Sequence, residues 1–199
     1  FFSAEGRLAR APFLIAAASV FLFSTLESRK AKAWMALPAV LLWLIFYPNA
    51  PYIFTDFIHV FNRVYLRAAP GELIGLQALI WYDIVMNAAF AFIGHFIGLV
   101  SMWIMQTLLD SVWGRLASVA VLGLAMVLSG FGIYLGRFSR LNSWDALFSP
   151  FRVAGELAEA VSDPMAIFFS LAFALFILLS YGAMASFKGL TLLAMDDDR

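Results

Sequence analysis

Long apolar runs separated by short polar turns organise this chain. Residues 11–26 carry no charge and end at a compact polar loop of Glu27, Arg29, Lys30 and Lys32. A second run, 34–47, meets Pro48-Asn49-Ala50-Pro51 and resumes over 52–61. Pro51 lacks an N–H and disfavours helix at Ala50, so the two pieces are expected as one broken or kinked element. After a loop at 63–72 containing Pro70-Gly71, residues 73–108 form a run too long for one straight span, with its membrane part expected at 83–105. Two more runs follow, 116–136 and 165–187. Between them, Val153, Leu157, Ala160 and Val161 recur at helical spacing beside Arg152, Glu156 and Glu159, a pattern for a short helix lying on a membrane surface. Asp163-Pro164 reads as an N-cap followed by proline at the first helical position.

A spanning helix needs about 20 apolar residues. The pattern therefore predicts an all-α, polytopic membrane helix bundle with about five spanning segments, one of them broken at Pro48–Pro51. The chain opens on Phe1, which reads as a fragment lacking an upstream segment, a sixth helix in the full-length protein. No repeat or linker divides it. Residues 1–199 are read as one membrane domain whose polar tail, 188–199, is mobile.

Composition points the same way. Of 199 residues, 63% are hydrophobic and 13% charged, against about 45–50% and about 25% in soluble domains. The formal net charge of zero, with no basic stripe, leaves no case for nucleic acid. Membrane lipids are the expected partners, with a homo-oligomer as an open alternative. The absence of cysteine excludes disulfides, thiolate metal sites and a cysteine nucleophile.

Alternation of spans adds geometry. If the second run crosses from face X to face Y, the third starts at Y and the fourth returns there. Three polar clusters then share face Y: Asn49 to His59, Asp83, and Arg137 to Asp145. Lysines and arginines divide almost evenly between the faces. Setting Arg137 and Arg140 aside as site residues makes X cytoplasmic and Y extracytoplasmic.

Each cluster has a chemical and a structural reading. Asp56 and His59, at i and i+3, share a helix face, and Asp83 supplies a third group. Two carboxylates and an imidazole suit a divalent metal or acid–base work; the structural reading is a hydrogen-bond cluster that stitches helix ends. Asn49 caps a turn beside backbone that must face water or protein. Asp83, Asn87, Ala91, Gly94, His95, Gly98 and Ser101 make one small and polar stripe, either an ion path or a packing face on which a neutral His95 bonds a neighbouring helix. Gly132 and Gly136 form GxxxG, a packing motif. Asn142 and Asp145 suit a capping box. Arg137 and Arg140 could clamp an anion, reach lipid headgroups, or neutralise Asp56 and Asp83.

Together PNAPYIFTDFIH (48–59), WYD (81–83) and GIYLGRFSRLNSWD (132–145) resemble a bacterial family of multi-pass membrane proteins of unknown function. Its members carry PNAPY-x-x-TD-x-x-H, WYD and GRF-x-R-x-NSWD stretches. The resemblance covers most of 41–145 and implies a bacterial inner-membrane protein, with no activity attached. No GxSxG, HExxH or phosphatase signature is present. Three functions remain in order. The first is a membrane-embedded enzyme or ligand-binding protein for a lipid-linked or anionic substrate. In it Asp56, His59, Asp83 and Asp145 act as acid–base or metal groups, and Asn49, Arg137, Arg140 and Asn142 hold the substrate. The second is a small transporter using Asp83, Asn87 and His95. The third is a structural subunit.

Overall fold

The structure, a computed structural model, describes residues 10–26, 28–61 and 73–197, with side chains at all of these except 29, 30, 59, 61, 73–76 and 188–197. The described chain is helical, without strands. Its order is α1 (Ala11–Ser24), α2 (Arg29–Phe46), α3 (Asn49–Tyr52), a 3-10 turn (Ile53–Phe57), α4 (Ile58–Phe61), α5 (Leu73–Trp113), α6 (Arg115–Arg137), α7 (Asp145–Phe148), α8 (Pro150–Ser162) and α9 (Pro164–Asp197). Four stretches are long and apolar enough to cross a membrane: Ala31–Phe57, Gln77–Trp113, Arg115–Arg137 and Pro164–Phe187. This is the polytopic helix bundle that the apolar runs predict. The first run, 11–26, forms α1, which at 14 residues reaches only about 21 Å, short of the roughly 30 Å hydrocarbon core, so four stretches among the described residues, not the expected five, are long and apolar enough to span. Conversely α5, with 41 residues, extends to about 60 Å, so it projects beyond a membrane.

The core forms where α1, α2, α5, α6 and α9 meet. Trp43, Tyr47, Met102, Met105 and Leu109 are fully buried there. The Trp43 indole N–H donates to Ser101 Oγ at 3.2 Å, and Ser101 in turn donates to the Gly98 carbonyl at 2.7 Å. The small and polar stripe on α5 is its buried face: Asp83, Ala91, Gly94, His95, Gly98 and Ser101 are all buried. On α6, Gly130 lies so close to α9 that an added Cβ would collide with the Ser170 backbone. That closeness makes α6 and α9 the most extensively packed helix pair.

The proline-bearing element is kinked and locally rewired. Backbone angles stay right-handed at Tyr47 (φ −57°) and Pro48 (φ −56°), so the chain bends without reversing. Pro51 cannot donate to the Tyr47 carbonyl, and the Ala50 N–H takes that acceptor at 3.0 Å. This leaves the Phe46 carbonyl without its usual donor, and the Asn49 side-chain amide supplies one at 2.8 Å. Pro48 likewise removes the helical donor of the Leu44 carbonyl. Hydrogen bonding then tightens to the 3-10 pattern over Ile53–Phe57.

Glycines seat this element on both sides. A Cβ at Gly94 would meet the Ile53 side chain at 2.6 Å, and one at Gly98 would meet Ala50 Cβ at 2.6 Å. From the opposite side, a Cβ at Gly132 would meet Pro48 at 2.8 Å and one at Gly136 would meet Tyr52 at 3.1 Å. The GxxxG motif is thus a packing surface, with the Pro48–Tyr52 turn as its partner. The element is a wedge between α5 and α6.

Candidate functional site

The wedge brings the first and third polar clusters together. Asn49 donates to Ser143 Oγ at 2.7 Å, linking residues 94 apart in sequence. Arg137, at the end of α6, places a guanidinium nitrogen 3.7 Å from Asp56 Oδ1. Trp144 packs edge-on against Phe46, with ring centroids 5.0 Å apart, and pins the loop after α6 to α2.

That loop turns sharply. Arg140 adopts φ 55°, the one positive φ at a non-glycine residue among those described. A left-handed conformation at a long side chain is uncommon and costs about 1 kcal/mol or more. It turns the chain so that the Leu141 N–H bonds back to the Leu135 carbonyl at 3.2 Å. Asp145 accepts the Asn142 backbone N–H at 2.7 Å, the reciprocal half of a capping box. Asp145 therefore braces the loop. Asp163 caps α9 through the Met165 N–H at 3.0 Å and also accepts the Tyr134 hydroxyl at 3.1 Å.

Between the wedge, α6, this loop and α8 lies a cavity of about 450 Å³. Its polar end is lined by Asn49, Tyr52, Asp56, Arg140, Asn142 and Ser143. Its apolar walls are Leu44 and Ile45 of α2, Leu128 and Phe131 of α6, and Val153 and Leu157 of α8. Leu44 and Leu128 lie about one turn below Pro48 and Gly132, so the apolar part runs down the membrane-spanning segments away from the polar end. Arg140 is the only cation among the described lining residues, and no described carboxylate pairs with it. Asp56 is the only carboxylate among the described lining residues.

The expected site residues divide accordingly. Asn49, Asp56, Arg140 and Asn142 line the cavity, and Arg137 and Asp145 hold its walls. Asp83 is buried on α5, outside this lining, and its backbone carbonyl accepts the Asn87 amide at 2.8 Å. His59 lies on the backbone of α4, and its side chain falls outside the described residues, so the Asp56–His59–Asp83 metal set falls partly outside them too. Among the described residues no group of three His, Asp or Glu side chains is placed to hold a metal ion. His95 differs from the packing expectation. Neither ring nitrogen has a hydrogen-bond partner among the described residues; the ring stacks on Phe176 at 4.6 Å and meets Phe54 edge-on at 5.6 Å. Arg63 and Arg67 lie outside the described residues.

Sequence reading placed neither Tyr52 nor Ser143 in the site, although each stands inside a quoted motif. It missed the apolar walls altogether. Leu44, Leu128 and Val153 belong to ordinary apolar runs, and no local signal separates a cavity-facing leucine from a lipid-facing one.

Comparison with curated proteins and with solved structures finds no match. A sequence-family comparison does: the family described as protein of unknown function (DUF1361) matches residues 7–179. This all-α membrane chain, with its wedge and cavity, belongs to that family.

Proposed function

We propose that the protein binds an amphipathic, lipid-linked anionic ligand in the cavity between the wedge, α6 and α8. The observation that carries this reading is the pairing, in one cavity, of Arg140 at the polar end with leucine, isoleucine and phenylalanine walls below it. A phosphate at the exposed Arg140 gains charge-assisted hydrogen bonds. A hydrocarbon chain along Leu44, Leu128 and Phe131 exchanges lipid for protein contacts of similar apolarity. Asn142 and Ser143 orient the headgroup. Asp56, the lining carboxylate, is the group through which proton transfer on a bound headgroup would pass.

The setting proposed is a bacterial inner membrane with the polar end extracytoplasmic. The balance of Lys and Arg supports that orientation once Arg137 and Arg140 are assigned to the site. Transport along the α5 stripe gains no support, because Phe54 and Phe176 close on His95 and the cavity's lining does not include it.

Delipidated protein in neutral detergent, titrated with phosphatidylglycerol and followed by native mass spectrometry, tests the reading. One lipid binds per chain, and Arg140→Gln weakens it about tenfold, the loss of a charge-assisted hydrogen bond. Arg152→Gln, at an exposed residue outside the lining, leaves it unchanged. Equal affinity in wild type and Arg140→Gln overturns the proposal.

A further inference from the structure

We propose that the cavity engages one phosphate and one hydrocarbon chain, so that a single-chain monophosphate is a complete ligand for it. The proposal rests on the lipid-binding reading above and adds the chemical class of the ligand.

Size is the first observation. The cavity holds about 450 Å³, in the lower half of the roughly 300–1,000 Å³ of pockets that bury a drug-sized molecule. A phospholipid with two acyl chains is about twice the size of such a molecule. The polar end takes part of the space, so one chain fits and two do not.

The walls give the same count. Leu44 and Ile45 are neighbours on α2, and Leu128 and Phe131, at i and i+3, share one face of α6. Beside them Pro48 seats on Gly132 and Tyr52 on Gly136, while α2 and α6 do not pack extensively on each other. A slot is left between two single rows of side chains. Along α6 its lining runs from Leu128 to Gly136, about 12 Å, which is less than half of the roughly 30 Å hydrocarbon core. The chain therefore stays within one leaflet. Leu44, Ile45, Leu128 and Phe131 are each half-buried, so the slot is open along its side. In a spanning bundle that side meets lipid. A second chain rests there with little gain or loss, because lipid and protein are of similar apolarity.

Charge limits the phosphate. Arg140 is the one cation among the described lining residues, and Arg137, 3.7 Å from Asp56, is not part of that lining. A second phosphate would find no further cation there and would repel the first.

Native mass spectrometry of delipidated wild-type protein in neutral detergent tests this with dodecyl phosphate, lysophosphatidylglycerol and phosphatidylglycerol. All three bind within about twofold of one another, and each weakens about tenfold in Arg140→Gln. Phosphatidylglycerol binding about tenfold more tightly than both single-chain probes, still through Arg140, overturns the single-chain assignment and leaves the lipid site standing. Dodecyl phosphate falling about tenfold below lysophosphatidylglycerol also overturns it, because the glycerol is then part of the ligand. Farnesyl diphosphate binding about tenfold more tightly than farnesyl phosphate overturns the monophosphate count. Farnesyl phosphate against dodecyl phosphate separates an isoprenoid source from an acyl one, and either preference supports the proposal. Leu128→Trp, which fills the slot from its wall, weakens every probe about tenfold; unchanged binding places the chain elsewhere and overturns the assignment. No Arg140-dependent binding of any probe defeats the underlying lipid reading instead. The wild-type panel needs no variant to fold.

Discussion

The two polar ends of the bundle are built on opposite principles. At the α5–α6 turn, Arg115 closes on Asp110 at 2.9 Å, and nearby the buried Tyr181 hydroxyl donates to Gln106. Side chains there pair directly across short gaps, although Asp110 Oδ1 and Ser118 Oγ are buried with no hydrogen-bond partner among the described residues. At the other end Arg137 stands 3.7 Å from Asp56, Arg140 sits in a left-handed backbone with no described carboxylate partner, and a cavity of about 450 Å³ separates the groups. The first end is closed by its own residues. The second keeps cation, carboxylate and amide apart, at a cost in backbone strain, and such strain persists where the surroundings hold it for a purpose. Glycine placement makes the same distinction. Gly94, Gly98, Gly132 and Gly136 each face the wedge closely, whereas Gly123 and Gly182 face open space.

The largest effect should come from prising the wedge out. Gly132→Val forces a branched side chain into the Pro48 ring and should cost about 3 kcal/mol, the upper part of the overpacking range. Gly123→Val, with nothing near it, should leave the thermal midpoint in detergent almost unchanged. If the two variants melt together, the wedge is not what holds this end in place. Next in size is Arg140→Gly, which separates strain from function. Relief of the left-handed backbone should raise stability by about 1 kcal/mol, while lipid binding falls about tenfold. A variant that loses stability as well as binding would recast Arg140 as a structural residue. Asp145→Ala should cost a similar or smaller amount, about 1 kcal/mol, because the loop loses its capping acceptor; chemical denaturation of the two proteins measures it. The smallest change belongs to the closed end. Arg115 is 71% exposed, so Arg115→Gln should cost about 0.5 kcal/mol or less and leave lipid affinity untouched.

The contrast also shows what a sequence reveals. The helical runs, the kink at Pro48–Pro51 and the buried stripe of α5 follow from apolar runs, proline chemistry and residue spacing, all local quantities. That Asn49 and Asp56 meet the Arg137–Asp145 loop follows from counting crossings, which needs no contact information. Alternation cannot give position along a face: it grouped Asp83 with the others, yet Asp83 is buried on α5, outside the cavity lining. His95 was expected to find a hydrogen-bond partner, and the choice of aromatic partners depends on how Phe54 and Phe176 converge from distant segments. The apolar walls were invisible for a different reason. In a membrane protein leucine covers both the lipid face and the interior, so hydrophobicity carries no inside–outside contrast.

The central claim is that a lipid headgroup sits at Arg140 with its chain between α2 and α6. Photocrosslinking tests it most directly. Phosphatidylglycerol carrying a diazirine in one acyl chain is bound to the protein, irradiated, and the labelled residues are mapped by peptide mass spectrometry. The account predicts label at Leu44, Ile45 and Leu128, lost in Arg140→Gln. Label spread over outward-facing residues such as Leu124 and Val119, and unchanged by Arg140→Gln, would contradict it.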